Sequence, residues 1–206
     1  MKYRGLIFIL FSLLSVSGLA QTQQWAFEQW HEGKIVLVSG DTLKGFVKYD
    51  MQQDLIQYNG QVGVVEAYTA RKVLFFEIFD LTVSQYRQFF SLPYNATTGY
   101  LAPVFFELLE EGKMTLLSRE SLEYRTYNSP YNFGASYSRL VLVYKFYILE
   151  EDGNISEFIG KKSDLLELMG RRALDVQDFI KENKLKIEDR DDFAKIVAYY
   201  NSFFKT

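Results

Sequence analysis

Five glutamates lie close together in the middle of the chain and are the residues best suited to catalysis. They surround one predicted hairpin, at Glu107, Glu110, Glu111, Glu120 and Glu123. Two carboxyl groups held across adjacent strands could act as acid and base in the cleavage of a glycosidic bond. Glutamates in a hairpin turn or beside a loop ordinarily face water, and spacing alone does not show which pair would meet. Carboxylate-dependent hydrolysis is therefore the alternative interpretation of this sequence.

Other catalytic and cofactor chemistries lack their usual residues. The chain has no cysteine, and a Ser-His-Asp site would have to use His31, the only histidine. The sequence contains neither a G-x-S-x-G elbow nor the glycine-rich loops that bind nucleotide phosphates. Zinc sites usually need several His or Cys ligands, and the acidic cluster at 188–192 lacks the spacing of a calcium loop. We predict no metal, no cofactor and a protein that is not an enzyme.

Residues 119–137 combine Tyr, Ser and Asn, a composition suited to adaptable recognition. Rigid amphipathic rings there stand among small hydrogen-bonding side chains. Pro130 and Gly134 interrupt the strand pattern, so we predict a mobile loop at about 119–137 that rejoins the sheet at Leu140. The alternative is that these rings simply cover the sheet. The candidate binding residues are Tyr124, Tyr127, Tyr131, Phe133 and Tyr137.

The most apolar strand of the chain follows this segment, at residues 140–149. Its residues are β-branched, aromatic or large aliphatic, and Lys145 is its only charge. A strand that is apolar on both sides is usually covered on both faces. Asp152 and Gly153 suit a tight turn, which predicts a partner strand from Ile155 to Ile159 in a register that the sequence leaves open.

Alternating apolar residues predict an antiparallel sheet before this strand, and a helical period follows it. Predicted strands lie at 35–38, 43–49, 54–58, 62–68, 73–79, 105–109 and 114–118. Predicted helices begin at about 163, 174 and 188, and the last carries one apolar stripe. We therefore predict an α+β fold: a mainly antiparallel, strongly twisted sheet or partly open barrel with two to three C-terminal helices. The β domain spans 21–160 and the helical cap 161–206.

The first twenty residues have the pattern of a signal peptide. Lys2 and Arg4 precede a short apolar run, and Gly18 and Ala20 suit cleavage before Gln21. An uncleaved anchor is the alternative, but the run is shorter than the roughly 20 residues that span a bilayer. No cysteine follows the cleavage site, so we expect an exported protein, periplasmic or secreted, that is not a lipoprotein. We predict no later transmembrane segment, and the formal charge of −3 without basic clusters gives no nucleic-acid footprint.

The hairpin segment GKIVLVSGDTLKGFVKYD, followed by EAYTARKVLFFEI, resembles a recurring pattern in exported β-sheet proteins of Bacteroidetes-type bacteria. The pattern is G-x-I-x-L-x-x-G-D-T-L-x-G-x-V-x-Y and then Y-T-x-x-x-V-x-x-F. The resemblance covers most of the mature chain, but it rests on turn and core residues, so it implies export and fold and transfers no active site. The matching positions are Gly33, Gly40, Asp41, Thr42, Gly45, Tyr49, Tyr68, Thr69, Val73 and Phe76.

These observations favour a non-catalytic binding or scaffolding protein of the bacterial cell envelope. Its partner would be a protein or glycan of the envelope whose identity the sequence does not give. The alternative is a carboxylate-dependent hydrolase that acts on envelope or dietary glycans.

Overall fold

The computed structural model describes residues 25–61, 63–95, 99–128 and 134–205. Ten antiparallel strands form one open sheet in the order β10-β9-β8-β7-β6-β5-β1-β2-β3-β4, and three helices follow. This confirms the predicted α+β fold. The strands are β1 (His31–Leu37), β2 (Thr42–Asp50), β3 (Leu55–Gln61), β4 (Val64–Thr69), β5 (Val73–Asp80), β6 (Gln85–Tyr94), β7 (Ala102–Glu110), β8 (Thr115–Asn128), β9 (Ser136–Leu149) and β10 (Ile155–Phe158). The helices are α1 (Lys162–Leu168), α2 (Ala173–Asn183) and α3 (Arg190–Ser202).

One face of the sheet, which we call the inner face, forms the main core. Alternation along β1, β2, β5 and β6 directs every second side chain to this face. Phe76 and Phe89 stack there with ring centroids 4.5 Å apart, and Phe105 meets Phe76 edge-on at 5.2 Å. These large aromatic side chains are fully buried, so they account for much of the burial that stabilises a cysteine-free chain.

The turn between β2 and β3 fills a gap in the sheet. β7 pairs with β8 only from Glu107 to Glu110, so the first half of β7 lacks a neighbouring strand on that side. Asp54 accepts a hydrogen bond from the backbone N–H of Phe105 at 2.8 Å. Arg119 donates to the carbonyl oxygens of Phe105 at 2.6 Å and Met51 at 2.5 Å. Side chains thus complete the hydrogen bonding where the two strands separate.

β8 and β9 continue beyond the sheet as a two-stranded ribbon. They pair continuously from Thr115 opposite Leu149 to Asn128 opposite Ser136, whereas β10 pairs only with residues 146–149 of β9. We call residues 119–128 and 136–145 the arm, because among the described residues they pair only with each other.

The arm corrects two predictions. Residues 119–128, 136 and 137 were expected in a mobile loop, but they form strands because each residue has a cross-strand partner that local composition does not reveal. Coverage of both faces of 140–149 holds only for residues 146–148. Residues 140–145 are half-buried, because β7 separates from β8 beyond Ser118 and β10 pairs only with residues 146–149. In addition, Asn59 and Gly60, which fall between the predicted strands at 54–58 and 62–68, lie within β3.

The three helices pack on the inner face of β8 and β9. Leu165, Phe193 and Ile196 are fully buried against Phe146 and its neighbours. The third helix starts at the acidic cluster as predicted, and Asp189 accepts hydrogen bonds from the N–H groups of Asp191 and Asp192 at 3.0 Å. None of the helices in the described ranges could span a bilayer, since each is too short and too polar. The predicted signal peptide lies outside these ranges.

Asn201 fastens the last helix to the sheet. Its side chain accepts from the N–H of Met114 and donates to the carbonyl of Met114, both at 2.9 Å, as a neighbouring strand would. Asn201→Leu would leave both buried groups unpaired, so we expect the free energy of unfolding to fall by about 1–3 kcal/mol. Urea unfolding measures this, with Asn183→Leu on the exposed side of α2 as a control expected to change little. A loss of less than about 0.5 kcal/mol for Asn201→Leu would contradict the assignment.

Candidate functional site

The structure brings several charged residues together in the core, on the inner face of the sheet. Arg87 lies at their centre, with Asp80, Glu107 and Glu120 around it and Arg190 entering from α3. We call these five residues the arginine cluster. Strand pairing places the members on the sheet side by side. Arg87 lies opposite Ile78, two positions before Asp80, and Glu107 lies opposite Phe89, two positions after Arg87. Glu107 also lies opposite Ser118, two positions before Glu120. Apart from Arg190, whose side chain is 14% exposed, all members are buried.

All five N–H groups of the Arg87 guanidinium have a partner. Glu107 binds it in a bidentate manner, accepting from Nε at 2.8 Å and from Nη2 at 2.9 Å. Nη2 also donates to Glu120 at 2.6 Å, and Nη1 donates to Asp80 and to the Tyr49 hydroxyl, both at 3.0 Å. The Tyr49 hydroxyl in turn donates to Glu120 at 2.9 Å. Such a fully satisfied network joins side chains from five strands, β2, β5, β6, β7 and β8.

Arg190 connects the helical cap to this network. Its Nη2 and Nε both donate to the Glu107 carboxylate, which also accepts a hydrogen bond from Ser118 at 3.1 Å. Glu107 thus receives charge-assisted hydrogen bonds from both the sheet and α3. The position of the cap therefore depends on this carboxylate.

Two carboxylates of the cluster, Glu107 and Asp80, are held in their ionised form. Burial alone would raise the pKa of Glu107, but the charges and hydrogen bonds of Arg87 and Arg190 outweigh it and lower that pKa. The pKa of Asp80 is also lowered, since Thr82 and Arg87 together overcome its burial. Burial raises the pKa of Tyr49 well above its usual value, so the phenol stays neutral.

This arrangement does not suit hydrolysis. A glycosidase needs one carboxylic acid with a raised pKa, and it needs space for a sugar beside the pair. Here Glu107 and Glu120 both bind Arg87, and the cavity beside Glu120, which Met51 and Leu122 also line, has a volume of about 10 Å³. That volume holds about one water molecule. Glu111 and Glu123 are exposed, and neither belongs to the cluster.

His31, the only histidine of the chain, lies in a buried contact. The buried His31 ring donates from Nε2 to the carbonyl of Ala26 at 2.8 Å and packs on Tyr49. This fixes the ring as a structural contact between the chain entry and the sheet. Within the described ranges, no group of three or more His, Asp or Glu side chains is placed to hold a metal ion.

The predicted aromatic binding residues fall on the arm. Tyr127 and Tyr137 are cross-strand partners whose rings stack with centroids 5.7 Å apart. The Arg139 guanidinium lies over the Tyr127 ring, 4.9 Å from its centroid. Tyr124 is 77% exposed and lies on the opposite face, across from Leu140. Tyr131 and Phe133 lie outside the described residues.

The arm's two faces differ in character. The face that continues the inner face of the sheet is apolar and only half-buried, with Leu122, Leu140 and Leu142 on it. It leads to an open groove of about 430 Å³ between the arm and the cap, lined by Tyr144, Phe158 and their neighbours. Burial raises the pKa of Tyr144 to about 12, so it presents a neutral hydroxyl. The other face carries Arg125 opposite Arg139, beside the tyrosine pair.

Sequence reasoning missed Asp80, Arg87 and Arg190, and it placed Glu107 and Glu120 among candidate catalytic residues. A signal was present in the alternation. Glu107 follows Phe105 by two positions, and Ser118 and Glu120 follow Leu116, so all are on the core-facing side of their strands. Polar residues at core positions indicate a buried network.

Comparisons of the chain with protein-family models, curated protein sequences and solved structures give no match.

Proposed function

We propose that this chain is an exported, non-catalytic binding or scaffolding protein of the bacterial cell envelope, and that the arm contacts its partner. One observation carries the proposal. The arm is a long two-stranded ribbon with exposed aromatic and arginine side chains, and neither of its edges is paired within the described part of the chain.

Such a ribbon is unusual in a protein that acts alone. An isolated two-stranded hairpin is at best marginally stable in water, and proteins generally protect exposed strand edges. Here the half-buried Val141 and Val143 lie on one face, and Leu140 and Leu142 lie on the other. These residues have the aliphatic composition of a strand that is covered on both faces, yet they are only half-buried. Exposed apolar surface of this kind supports an interaction surface.

Export is supported by the sequence. The basic start, short apolar run and small residues before Gln21 are typical of a signal peptide, and the chain resembles exported β-sheet proteins. A domain without cysteine has no disulfide bonds to form, and the buried arginine cluster and aromatic core stabilise it instead. The hydrolase interpretation has less support, since the buried Glu107 and Glu120 are both bound to Arg87.

Truncation of the arm tests the proposal. We expect replacement of residues 127–137 by Asn-Gly, which joins Thr126 to its partner Ser138 by a two-residue turn, to change the melting temperature by only about 2–4 °C or less. The same change should abolish capture of a partner from envelope extract by the mature domain. Captured proteins or glycans are quantified by mass spectrometry against the intact domain.

A point variant and a matched control sharpen this test. Tyr124→Ser with Tyr137→Ser removes rings that are 77% and 51% exposed on the arm. Phe46→Ser with Tyr86→Ser removes rings that are 55% and 68% exposed elsewhere on the sheet. The first pair should lose the partner and the second should keep it. If both pairs retain it, or if truncation unfolds the domain, the arm is not the binding site.

A further inference from the structure

Two arginines face each other on the arm without an acidic partner. Arg125 of β8 and Arg139 of β9 are directly opposite in the strand register, and both are exposed. Like charges at opposed positions destabilise a strand pair. Glu123 lies two positions before Arg125 on the same face, and Glu188 lines the groove beside Arg125, but among the described residues neither arginine forms an ion pair. The arm therefore retains an unfavourable arrangement that an anion would relieve.

The neighbouring residues hold Arg139 in place. Its guanidinium lies over the ring of Tyr127, which stacks on Tyr137, and the next cross-strand pair, Thr126 and Ser138, is joined by a hydrogen bond of 2.8 Å. A guanidinium in a cation–π contact still has N–H groups to donate to other partners. Those groups bind a carboxylate in a bidentate manner.

The backbone beside this pair is open to an added strand. Residues 136–145 of β9 have no neighbour on their outer side among the described residues, because β10 pairs only with residues 146–149. After Phe158 the chain leaves the sheet for α1, and the groove of about 430 Å³ opens at that point, lined by residues 142–144 of β9. An extended polypeptide could pair there with the free edge of β9, as an extension of β10.

We propose that the arm binds an acidic, extended polypeptide segment that adds to the free edge of β9 and places its carboxylates against Arg125 and Arg139. This inference rests on the proposed function of the arm and names the chemical class of its partner. A strand beside β9 brings its side chains about 5 Å from those of β9, within reach of Arg139. The open backbone favours a polypeptide over an anionic glycan, because only a polypeptide matches a row of N–H and C=O groups.

Fluorescent poly-L-glutamate tests the inference by anisotropy with the mature domain. Polyacrylate, which has carboxylates but no peptide backbone, and dextran sulfate are the comparison probes. We expect poly-L-glutamate to bind most tightly, with an affinity that falls as salt rises. Arg125→Thr with Arg139→Thr should weaken it about tenfold or more. Arg71→Thr with Lys72→Thr, which removes two exposed cations from the β4–β5 turn, should leave it unchanged.

Two further measurements separate binding from a structural role. The Arg125→Thr, Arg139→Thr variant should be as stable to urea as the parent domain or more stable, since the like-charge pair is gone. Amide hydrogen exchange should slow at residues 137–145 when poly-L-glutamate is added. Equal binding of all three polymers, equal loss in both double variants, or lower stability of the arginine variant would each overturn the inference. If that happens while Tyr124→Ser with Tyr137→Ser still loses its partner, the proposed function stands without this ligand class.

Discussion

Replacing Arg87 with methionine is expected to lower the free energy of unfolding by about 3–5 kcal/mol or more, a large part of the stability of an ordinary domain. Methionine resembles arginine in its apolar stem but supplies no charge and no donor. Asp80, Glu107 and Glu120 would remain buried near one another, and only Glu107 would keep a cation, Arg190. The loss comes mainly from these uncompensated carboxylates rather than from the packing of the side chain.

Urea unfolding of the mature domain, followed by the fluorescence of Trp25 and Trp30, measures this change. Arg125→Met is the matched control, because it removes an exposed arginine and should alter stability by less than about 0.5 kcal/mol. If Arg87→Met yields no folded protein, Arg87→Lys provides the measurement. Lysine keeps the charge but has three donors in place of five, so the variant should fold with roughly 2 kcal/mol less stability. Wild-type stability in both variants would show that the cluster does not hold the sheet together.

The α+β fold, with strands first and helices last, could be predicted from the sequence because its signals are local. Lys44 and Lys48 alternate with apolar residues and define β2, and the stripe from Phe193 to Tyr200 defines α3. The arm could not be predicted in this way. Its Ser, Asn and Tyr residues form strands only because β9 pairs with each of them, and that register depends on the whole ribbon.

The arginine cluster also could not be predicted from local sequence signals. Tyr49 and Glu120 are joined by a hydrogen bond although 71 positions separate them in the chain. The type and spacing of Glu107 and Glu120 suggested acid–base chemistry, yet Arg87 lies between them and donates hydrogen bonds to both. The glutamates around the β7–β8 hairpin were expected to face water, but Glu107 and Glu120 occupy the core-facing positions of their strands, and their partner Arg87 comes from a different strand, β6. Sequence reasoning thus identified the carboxylates and missed the cation that determines their role.

Acid is expected to unfold the protein through the same cluster. The pKa values of Glu107 and Asp80 are lowered in the folded state, mainly because arginine and hydrogen-bond contacts outweigh burial. A lowered carboxyl pKa contributes stability that is fully present above the unfolded value, 4.5 for Glu and 3.8 for Asp, and is lost as pH falls towards the folded value. The pKa values of Arg87 and Arg190 are raised, so both arginines stay protonated across this range and add no slope. The free energy of unfolding should therefore be nearly flat from pH 7 to about 5 and fall steeply below about 4.5.

Glu107→Gln isolates the contribution of one carboxylate to that fall. Glutamine still accepts hydrogen bonds from Arg87 and Arg190 but carries no charge, so the variant should be less stable at pH 7 and should lose less stability on acidification. Glu123→Gln removes an exposed carboxylate and should follow the wild-type curve. Urea unfolding at a series of pH values from 7 to 3 compares the three proteins. If wild type and Glu107→Gln fall with the same slope below pH 4.5, the acid response does not arise from Glu107, and titration of other carboxylates would have to explain it.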